Sequence, residues 1–385
     1  MEFDLGWILL GLPLAFMLGW LASRFDLRQL RAENRRVPKA YFKGLNYLLN
    51  EQQDQAIDAF IEAVQNDPDT SELHFALGNL FRRRGEYDRA VRVHEHLLSR
   101  GDLDGKDRDR AQYALALDFL KAGLLDRAEA ALHKLEGTAF EAQARLALLA
   151  IHERSRDWVQ ATVIAQTMQA ADQGDFSTRQ AHFLCEQAQA LIVSEQWPQA
   201  KQLLEQAMQI APEAPRPRIM LAQMQLRLEQ APQALATLTT LGQEVPQALP
   251  LVAPLLAQAA KACGQEQQTL ALLQKHYQES PSLDILDSMV DLEVAAGQLP
   301  AQAAVRYAHH LEKEPSLLAA AKWLHHETLG HPQWQPGVQR ALNHAAQPLT
   351  RYRCAACGFE ARQHFWQCPG CQSWDSYPAR RIEEL

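Results

Sequence analysis

Apolar residues recur at helical spacing from about residue 40 to residue 346, and strand-like alternation is almost missing from this region. Spacings of three and four put apolar residues on one face of a helix, whereas half-buried strands alternate with a period of two. The pattern therefore predicts an all-α region. Residues 5–22 (LGWILLGLPLAFMLGWLA) differ, because this run of 18 residues contains no charge at all.

The uncharged run predicts a membrane anchor over residues 1–23. As a helix it would measure about 27 Å, close to the ~30 Å of a bilayer's hydrocarbon core. Trp7 and Trp20 lie near its two ends, where aromatic rings favour the membrane interface. A cleaved signal peptide would begin with basic residues, whereas this run is preceded by Glu2 and Asp4.

Charge after the run predicts the orientation of the anchor. Residues 24–40 form a basic linker that carries only Asp26 and Glu33 as acids. Because positive residues stay on the cytoplasmic side, we expect a single-pass protein with the bulk of the chain in the cytoplasm. That reducing compartment disfavours disulfides, so paired cysteines there are better explained as metal ligands.

The helical region repeats itself. GLNYLLNEQQDQAIDAFIEAVQNDP (44–68) aligns with GNLFRRRGEYDRAVRVHEHLLSRGD (78–102). Three residue pairs share one offset of 34 positions: Gly44 and Gly78, Tyr47 and Phe81, Ala56 and Ala90. This pattern resembles the tetratricopeptide repeat, which implies antiparallel helix pairs in contact at the glycine. Residues 41–346 are predicted to hold about eight to nine such pairs, stacked as a superhelical solenoid with a groove for extended partners.

Two features of the array invite a metal or catalytic interpretation. Residues 99–110 (SRGDLDGKDRDR) faintly resemble a calcium loop, but Asp107 stands where that loop needs glycine. We therefore interpret this stretch as a solvated insertion. None of the 14 histidines lies three or four residues from another, so we interpret them as ordinary surface or groove residues. No catalytic residues are predicted.

The C-terminus carries the candidate chemistry. Four of the six cysteines follow the spacing C-x2-C-x10-C-x2-C: Cys354, Cys357, Cys368 and Cys371. Four thiolates form a closed tetrahedral site, which is structural for zinc, although iron also occupies such sites. Residues 347–385 are therefore predicted to form a rubredoxin-like or zinc-ribbon-like domain with one metal ion, zinc being favoured. Gln372 stands where rubredoxins usually have glycine, which weakens a transfer of their redox role.

With anchor, repeats and ribbon in this order, the chain resembles the lipopolysaccharide assembly protein B family. The resemblance is carried by GLNYLLNEQQDQAIDAF (44–60), LGNLFRRRGEYDRAVRVH (77–94) and RYRCAACGF with FWQCPGCQSW (351–374). It implies a bacterial inner-membrane protein with a periplasmic N-terminus, and an adaptor rather than an enzyme. Such an adaptor promotes degradation of the lipid A-committing deacetylase by an FtsH-type membrane protease, and an inner-membrane regulator of the pathway opposes it. The resemblance also implies that the four cysteines are the metal ligands.

Other functions stay open. The chain could be a membrane-anchored scaffold for lipopolysaccharide enzymes without a proteolytic role, or a rubredoxin-like electron carrier. A nucleic-acid-binding ribbon is disfavoured, because the net charge is -8 and acidic residues dilute the ribbon's arginines. The sequence leaves the oligomeric state open, including a homo-oligomer.

Overall fold

The computed structural model describes residues 39–66 and 70–385, together with residues 16, 17 and 20. Apart from those three positions, the predicted anchor lies outside the described residues, as does nearly all of the predicted basic linker. Among the described helices, none combines the length and the apolar character that crossing a membrane requires. Two compact units make up the chain; the first ends at Ser155 and the second begins at Arg156.

The first unit consists of helices that pack in consecutive pairs, α1 on α2, α3 on α4 and α5 on α6. The described helices of this unit are α1 (Lys39–Leu49), α2 (Gln53–Asn66), α3 (Ser71–Arg84), α4 (Tyr87–Ser99), α5 (Gly105–Ala122), α6 (Leu125–His133) and α7 (Glu141–Ser155).

The repeated glycines lie where the paired helices touch. A Cβ atom on Gly44 would lie 2.9 Å from the Phe60 ring of α2, and one on Gly78 would lie 2.5 Å from the His94 ring of α4. Ala56 and Ala90 are completely buried in these pairs. The close approach inferred from the 34-residue offset is therefore present, with a bulky partner side chain filling the space that each glycine leaves.

One interpretation of the first unit was incomplete and another was wrong. The segment interpreted as a solvated insertion is mostly exposed, as expected, but it is helical from Gly105 onward, where the Asp104 carboxylate caps α5 by accepting from the Asp107 N–H at 2.7 Å. His94 is no surface residue. It is completely buried, with Nδ1 2.5 Å from the carboxylate of Asp118, which is itself buried.

The second unit continues the helix pairs and ends in the ribbon. Its described helices are α8 (Trp158–Ala170), α9 (Ser177–Val193), α10 (Trp197–Ile210), α11 (Pro215–Arg227), α12 (Ala231–Glu244), α13 (Leu249–Cys263), α14 (Glu266–Glu279), α15 (Leu283–Ala295), α16 (Pro300–Ala303), α17 (Val305–Leu311), α18 (Leu317–His326) and α19 (Gln335–Ala346). Short 3-10 helices lie at Pro246–Ala248, Pro332–Trp334, Gln347–Thr350 and Ile382–Glu384.

Proline residues occur where some of these helices begin. Pro198 and Pro232 lie in the first turns of α10 and α12, where the missing N–H costs little. One continuous apolar core links α11 to α15 and includes Leu238, Leu256 and Met289. After α15 the regular pairing breaks down into the short helices α16 and α17, where the sequence pattern also degrades.

Among the described residues, the β-sheet lies in the ribbon and has two strands. Strand β1 (Tyr352–Arg353) pairs antiparallel with β2 (Glu360–Ala361), and an isolated bridge joins Gln367 to Trp374. Four residues form its small buried core: Tyr352, Cys354, Cys368 and Tyr377. Leu251 of α13 packs against this core, so the ribbon lies directly on the helices of the second unit.

Candidate metal centre and its contacts with the repeats

Each cysteine pair lies in a turn that a backbone hydrogen bond closes. The Gly358 N–H donates to the Cys354 carbonyl at 2.9 Å, and the Gln372 N–H donates to the Cys368 carbonyl at 2.8 Å. Both closing residues have left-handed backbones, with φ of 77° at Gly358 and 62° at Gln372. The second turn therefore keeps the conformation of a glycine-closed turn although a glutamine occupies the position.

The turns bring all four predicted cysteines together. Their Sγ atoms lie within 4.8 Å of one another. Cys354 and Cys371 are separated by 3.8 Å and Cys357 and Cys368 by 3.7 Å, both measured between sulfurs. Metal–sulfur bonds of about 2.3 Å in a tetrahedron put the sulfurs about 3.8 Å apart. Two sulfur pairs already have this separation, and the whole cluster is compact enough for its thiols to converge on one ion.

Hydroxyl groups surround the sulfurs. Ser376 Oγ lies 3.3 Å from Cys354 Sγ, Ser373 Oγ lies 3.3 Å from Cys371 Sγ, and the Tyr377 hydroxyl lies 3.9 Å from Cys368 Sγ. When a metal ionises the thiols, the Ser373 hydroxyl can donate to Cys371 Sγ and help to fix its position. The Ser376 and Tyr377 hydroxyls donate to backbone carbonyls, that of Ser373 at 3.2 Å and that of Phe359 at 3.1 Å. The cluster is a four-cysteine metal site. Four thiolates leave no open coordination position for a substrate, and this donor set suits zinc as well as iron.

Buried polar contacts join the ribbon to α9. His182, only 2% exposed, lies with Nε2 2.8 Å from the Asp375 carboxylate, and its ring stacks on Trp374 at 4.7 Å between centroids. Arg216 of α11 approaches His182 Nδ1 at 3.3 Å and also pairs with Glu186. Because a guanidinium can only donate, Nδ1 accepts, and Nε2 carries the proton that is donated to Asp375.

A second set of contacts fastens the residues after the ribbon to two helix N-termini. The Glu383 carboxylate accepts from the Leu317 N–H at 2.6 Å at the start of α18, and Glu384 accepts from the Leu283 N–H at 2.5 Å at the start of α15. Arg381 makes a two-pronged pair with Asp284 at 2.8 and 2.9 Å. Carboxylates are stabilised at helix N-termini, where unpaired N–H groups carry partial positive charge. We call residues 380–385 the C-terminal strap.

Most arginines of the ribbon pair with an acidic side chain that neutralises their charge. Arg351 and Arg353 both donate to Glu360, and Arg381 pairs with Asp284. Arg380 donates to the Ser280 hydroxyl at 2.5 Å. These arginines thus serve intramolecular contacts.

Sequence reasoning missed the residues that hold the ribbon in place. The interpretation of all histidines as surface or groove residues was wrong for His182, which lies 193 positions from its partner Asp375. Asp284 and Arg381 are 97 positions apart. No spacing rule connects residues at such distances. Trp158 of α8 also meets Trp374 edge-on, with 6.0 Å between the ring centroids, and no spacing rule predicts this contact either.

Comparisons with known proteins agree with this organisation. Residues 352–377 match the family described as rubredoxin metal binding domain, and residues 73–109 and 191–259 match tetratricopeptide repeat families. Lipopolysaccharide assembly protein B of Escherichia coli (strain K12) is 29% identical over 383 residues, which is 97% of this chain and 98% of that protein. The chain is similar to lipopolysaccharide assembly protein B along nearly its whole length. This result confirms the resemblance, the repeats and the ribbon.

Two further similarities extend the comparison. The protein of the same name from Haemophilus influenzae (strain ATCC 51907 / DSM 11121 / KW20 / Rd) is 26% identical, over 95% of this chain and 96% of its own length. Among solved structures, YrrB, a tetratricopeptide repeat protein with an unusual peptide-binding site, covers 48% of this chain and 92% of its own chain. Its TM-score is 0.34 and its identity 15%.

Proposed function

We propose that this chain is an inner-membrane adaptor that regulates lipopolysaccharide synthesis by promoting proteolysis of the lipid A-committing deacetylase. The observation that carries the proposal is the similarity to lipopolysaccharide assembly protein B over 97% of this chain and 98% of the Escherichia coli relative. The proposed partners are an FtsH-type membrane protease, the deacetylase and an inner-membrane regulator of the same pathway.

Tethering provides the proposed mechanism. Helical repeats offer a surface for protein partners, and an N-terminal anchor would keep that surface close to a membrane protease. Holding two proteins together makes their encounter intramolecular and raises the effective concentration, by a factor that reaches about 10²–10⁴ in linked binding modules. The adaptor then needs no catalytic group of its own.

We also propose that the four-cysteine site holds zinc and is structural. Zinc has no redox chemistry, and its closed four-thiolate sites contribute directly to folding. Purified protein should therefore be colourless and contain about one zinc per chain by elemental analysis.

Electron transfer is the second candidate, favoured by the exposure of Cys357 and Cys371, which leaves one side of the site close to solvent. Iron content, with a thiolate charge-transfer band in the visible spectrum that bleaches on reduction, would support this candidate over the structural one.

The lifetime of the deacetylase in cells tests the adaptor proposal. After depletion of the chain and a block of translation, immunoblots should reveal a longer-lived deacetylase. The intact chain should restore rapid turnover, whereas a chain lacking residues 1–22 should not. An unchanged lifetime on depletion would instead favour a scaffold for lipopolysaccharide enzymes without a proteolytic role.

A further inference from the structure

Each exposed cysteine of the metal site lies beside a buried cysteine of the other turn. Cys371 is exposed, and its sulfur lies 3.8 Å from that of Cys354, which is buried. Cys357 is exposed, and its sulfur lies 3.7 Å from that of Cys368, which is also buried. An oxidant in solution can therefore reach one sulfur of each pair, and the second sulfur of the pair is already its neighbour.

Disulfides in these two pairs are incompatible with a bound metal ion. A disulfide holds its sulfurs about 2.05 Å apart, so each pair would have to close by about 1.7 Å. The sulfurs of a four-thiolate site stay about 3.8 Å apart because each is bonded to the central ion. Oxidation also removes the thiolates that bind the ion. One disulfide in each pair would therefore leave no thiolate ligand at the site.

The second cysteine turn is connected to the residues that contact α9. The Cys368 N–H donates to the Ser373 carbonyl at 2.9 Å, which fixes the backbone just before Trp374. Trp374 stacks on His182, and the Asp375 carboxylate lies within hydrogen-bond distance of the same ring. A change in the second turn is thus transmitted to the contact that holds the ribbon against α9.

The C-terminal strap holds the two ends of the ribbon together without using a cysteine. The Ile382 N–H donates to the Arg351 carbonyl at 2.8 Å, and Arg381 donates to the Thr350 carbonyl at 2.7 Å. The carboxylates of the strap also fix it at the N-termini of α15 and α18. The cysteine turns can therefore open while the ribbon stays beside the repeats, where it can close again.

We propose that the ribbon is a reversible switch that responds to hydrogen peroxide. The Cys371 thiolate attacks one oxygen of the peroxide and breaks the O–O bond, giving a sulfenic acid and a hydroxide that is protonated to water. The Cys354 thiolate then attacks the Cys371 sulfur, forms the S–S bond and displaces a second hydroxide, which is also protonated to water. The two thiolates lose two electrons, and one peroxide is reduced to two waters. Cys357 and Cys368 react with a second peroxide in the same way.

The oxidised ribbon loses its ion and its contact with His182. Reduction of both disulfides restores the four thiolates, so the ribbon can bind an ion and return to α9. In a reducing compartment such disulfides do not persist after the oxidant is consumed. The inference rests on the proposed structural zinc site and deepens it, because the site then responds to the redox state of its surroundings.

Oxidation of the full-length chain in lipid nanodiscs tests the proposal. The zinc content is measured first, and zinc release is then followed with a colorimetric chelator while hydrogen peroxide is added. We expect the loss of four thiols per chain and the release of the zinc. Tandem mass spectrometry should identify the disulfides Cys354–Cys371 and Cys357–Cys368. Trypsin cleavage after Arg362, between the two turns, should become at least about tenfold faster, because an opened segment is accessible to protease.

Two controls separate this reaction from other thiol chemistry. The double variant Cys185→Ala, Cys263→Ala lacks the cysteines outside the ribbon and should release zinc at the original rate. A chain stripped of zinc by a chelator, without oxidation, should regain slow cleavage after Arg362 when zinc is added back. The oxidised chain should regain it only when a dithiol reductant is added before the zinc.

Retention of zinc in peroxide, disulfides in other pairs, or unchanged cleavage after Arg362 would overturn the inference. So would an oxidised chain whose ribbon closes on addition of zinc without a reductant. The structural zinc proposal fails on a different result, the presence of iron instead of zinc in the purified chain before peroxide is added.

Discussion

At the scale of single residues, Gln372 has the left-handed backbone conformation that glycine usually has at this position. Its φ of 62° lies in the left-handed region, where a side chain costs roughly 1–2 kcal/mol. The backbone hydrogen bond to Cys368 keeps it there, because the second cysteine turn cannot close otherwise. The sequence departs from the rubredoxin pattern at this position, but the geometry does not.

Gln372→Gly should therefore stabilise the ribbon. Glycine relieves the left-handed strain and loses part of the gain through its greater freedom in the unfolded chain, leaving a net effect of about 0.5–1 kcal/mol. The rate of metal release to a chelator should fall. Gln372→Ala, which keeps a Cβ, is the control and should release metal at the original rate or faster; faster release from the glycine variant would contradict the strain argument.

Glycine is needed at position 78 because of a packing contact and not because of its backbone φ angle. A methyl group there would meet the His94 ring at 2.5 Å, and that ring is completely buried and bonded to Asp118. The ring cannot move aside without giving up this bond. Gly78 is thus a packing requirement of the α3–α4 pair.

Gly78→Ala should destabilise α3 and α4 by about 2 kcal/mol, the middle of the range for overpacked sites. Amide hydrogen exchange of these two helices measures the effect locally. Gly105→Ala is the matched control, since the position that its added Cβ would take has no neighbouring atom within 4 Å, and its exchange should change little. Unchanged exchange in Gly78→Ala would show that the helices separate readily.

At the scale of elements, the C-terminal strap connects three parts of the second unit. Its carboxylates lie at the N-termini of α15 and α18, and Arg381 joins Asp284 of α15 to the Thr350 carbonyl just before β1. The Arg381 and Asp284 side chains are 25% and 10% exposed, so their pair is largely shielded from water. Such a pair holds position mainly because either partner alone would be costly.

Asp284→Asn should loosen the strap, since it leaves the Arg381 charge without its partner. We expect a loss of about 2 kcal/mol, below the range for fully buried pairs because water reaches part of Arg381. Limited trypsin digestion should then cleave after Arg380 or Arg381 more rapidly. Asp291→Asn, at a carboxylate that is 69% exposed, should leave the cleavage rate unchanged. Equal cleavage rates in both variants would show that the Arg381–Asp284 pair does not hold the strap in place.

Local rules account for what could be predicted from the sequence. The cysteine spacing was sufficient to bring four thiols together, and the 34-residue offset was sufficient for the glycine contacts. The start of α5 at Asp104 could not be predicted in this way, because residues 105–110 contain no apolar residue and so show no helical spacing. His182 and Asp375 are 193 positions apart and Arg381 and Asp284 are 97 positions apart, and no local pattern predicts tertiary contacts of this kind.

At the scale of the whole molecule, the metal site and the repeats make separate contributions to stability. The helices have their own apolar cores, whereas the ribbon's buried core consists of four residues, two of them cysteines. A module with so small a core depends on its metal to fold. The repeats should therefore stay folded under conditions in which the ribbon unfolds.

Removal of the metal should unfold the ribbon selectively. After treatment with a strong chelator, or in Cys371→Ser, the far-ultraviolet circular dichroism should stay close to that of the intact chain, while residues 351–385 become sensitive to protease. Adding zinc back should restore protection in the chelated wild type but not in the variant. Loss of most of the helical signal would contradict this separation.

The central claim, that the chain is an adaptor acting by tethering, is tested most directly by reconstitution. The rate of deacetylase degradation by the FtsH-type protease would be measured in lipid vesicles with the full chain, without it, and with a chain lacking residues 1–22. The account predicts fast degradation with the full chain and slow degradation in the other two. Equal rates in all three would contradict it.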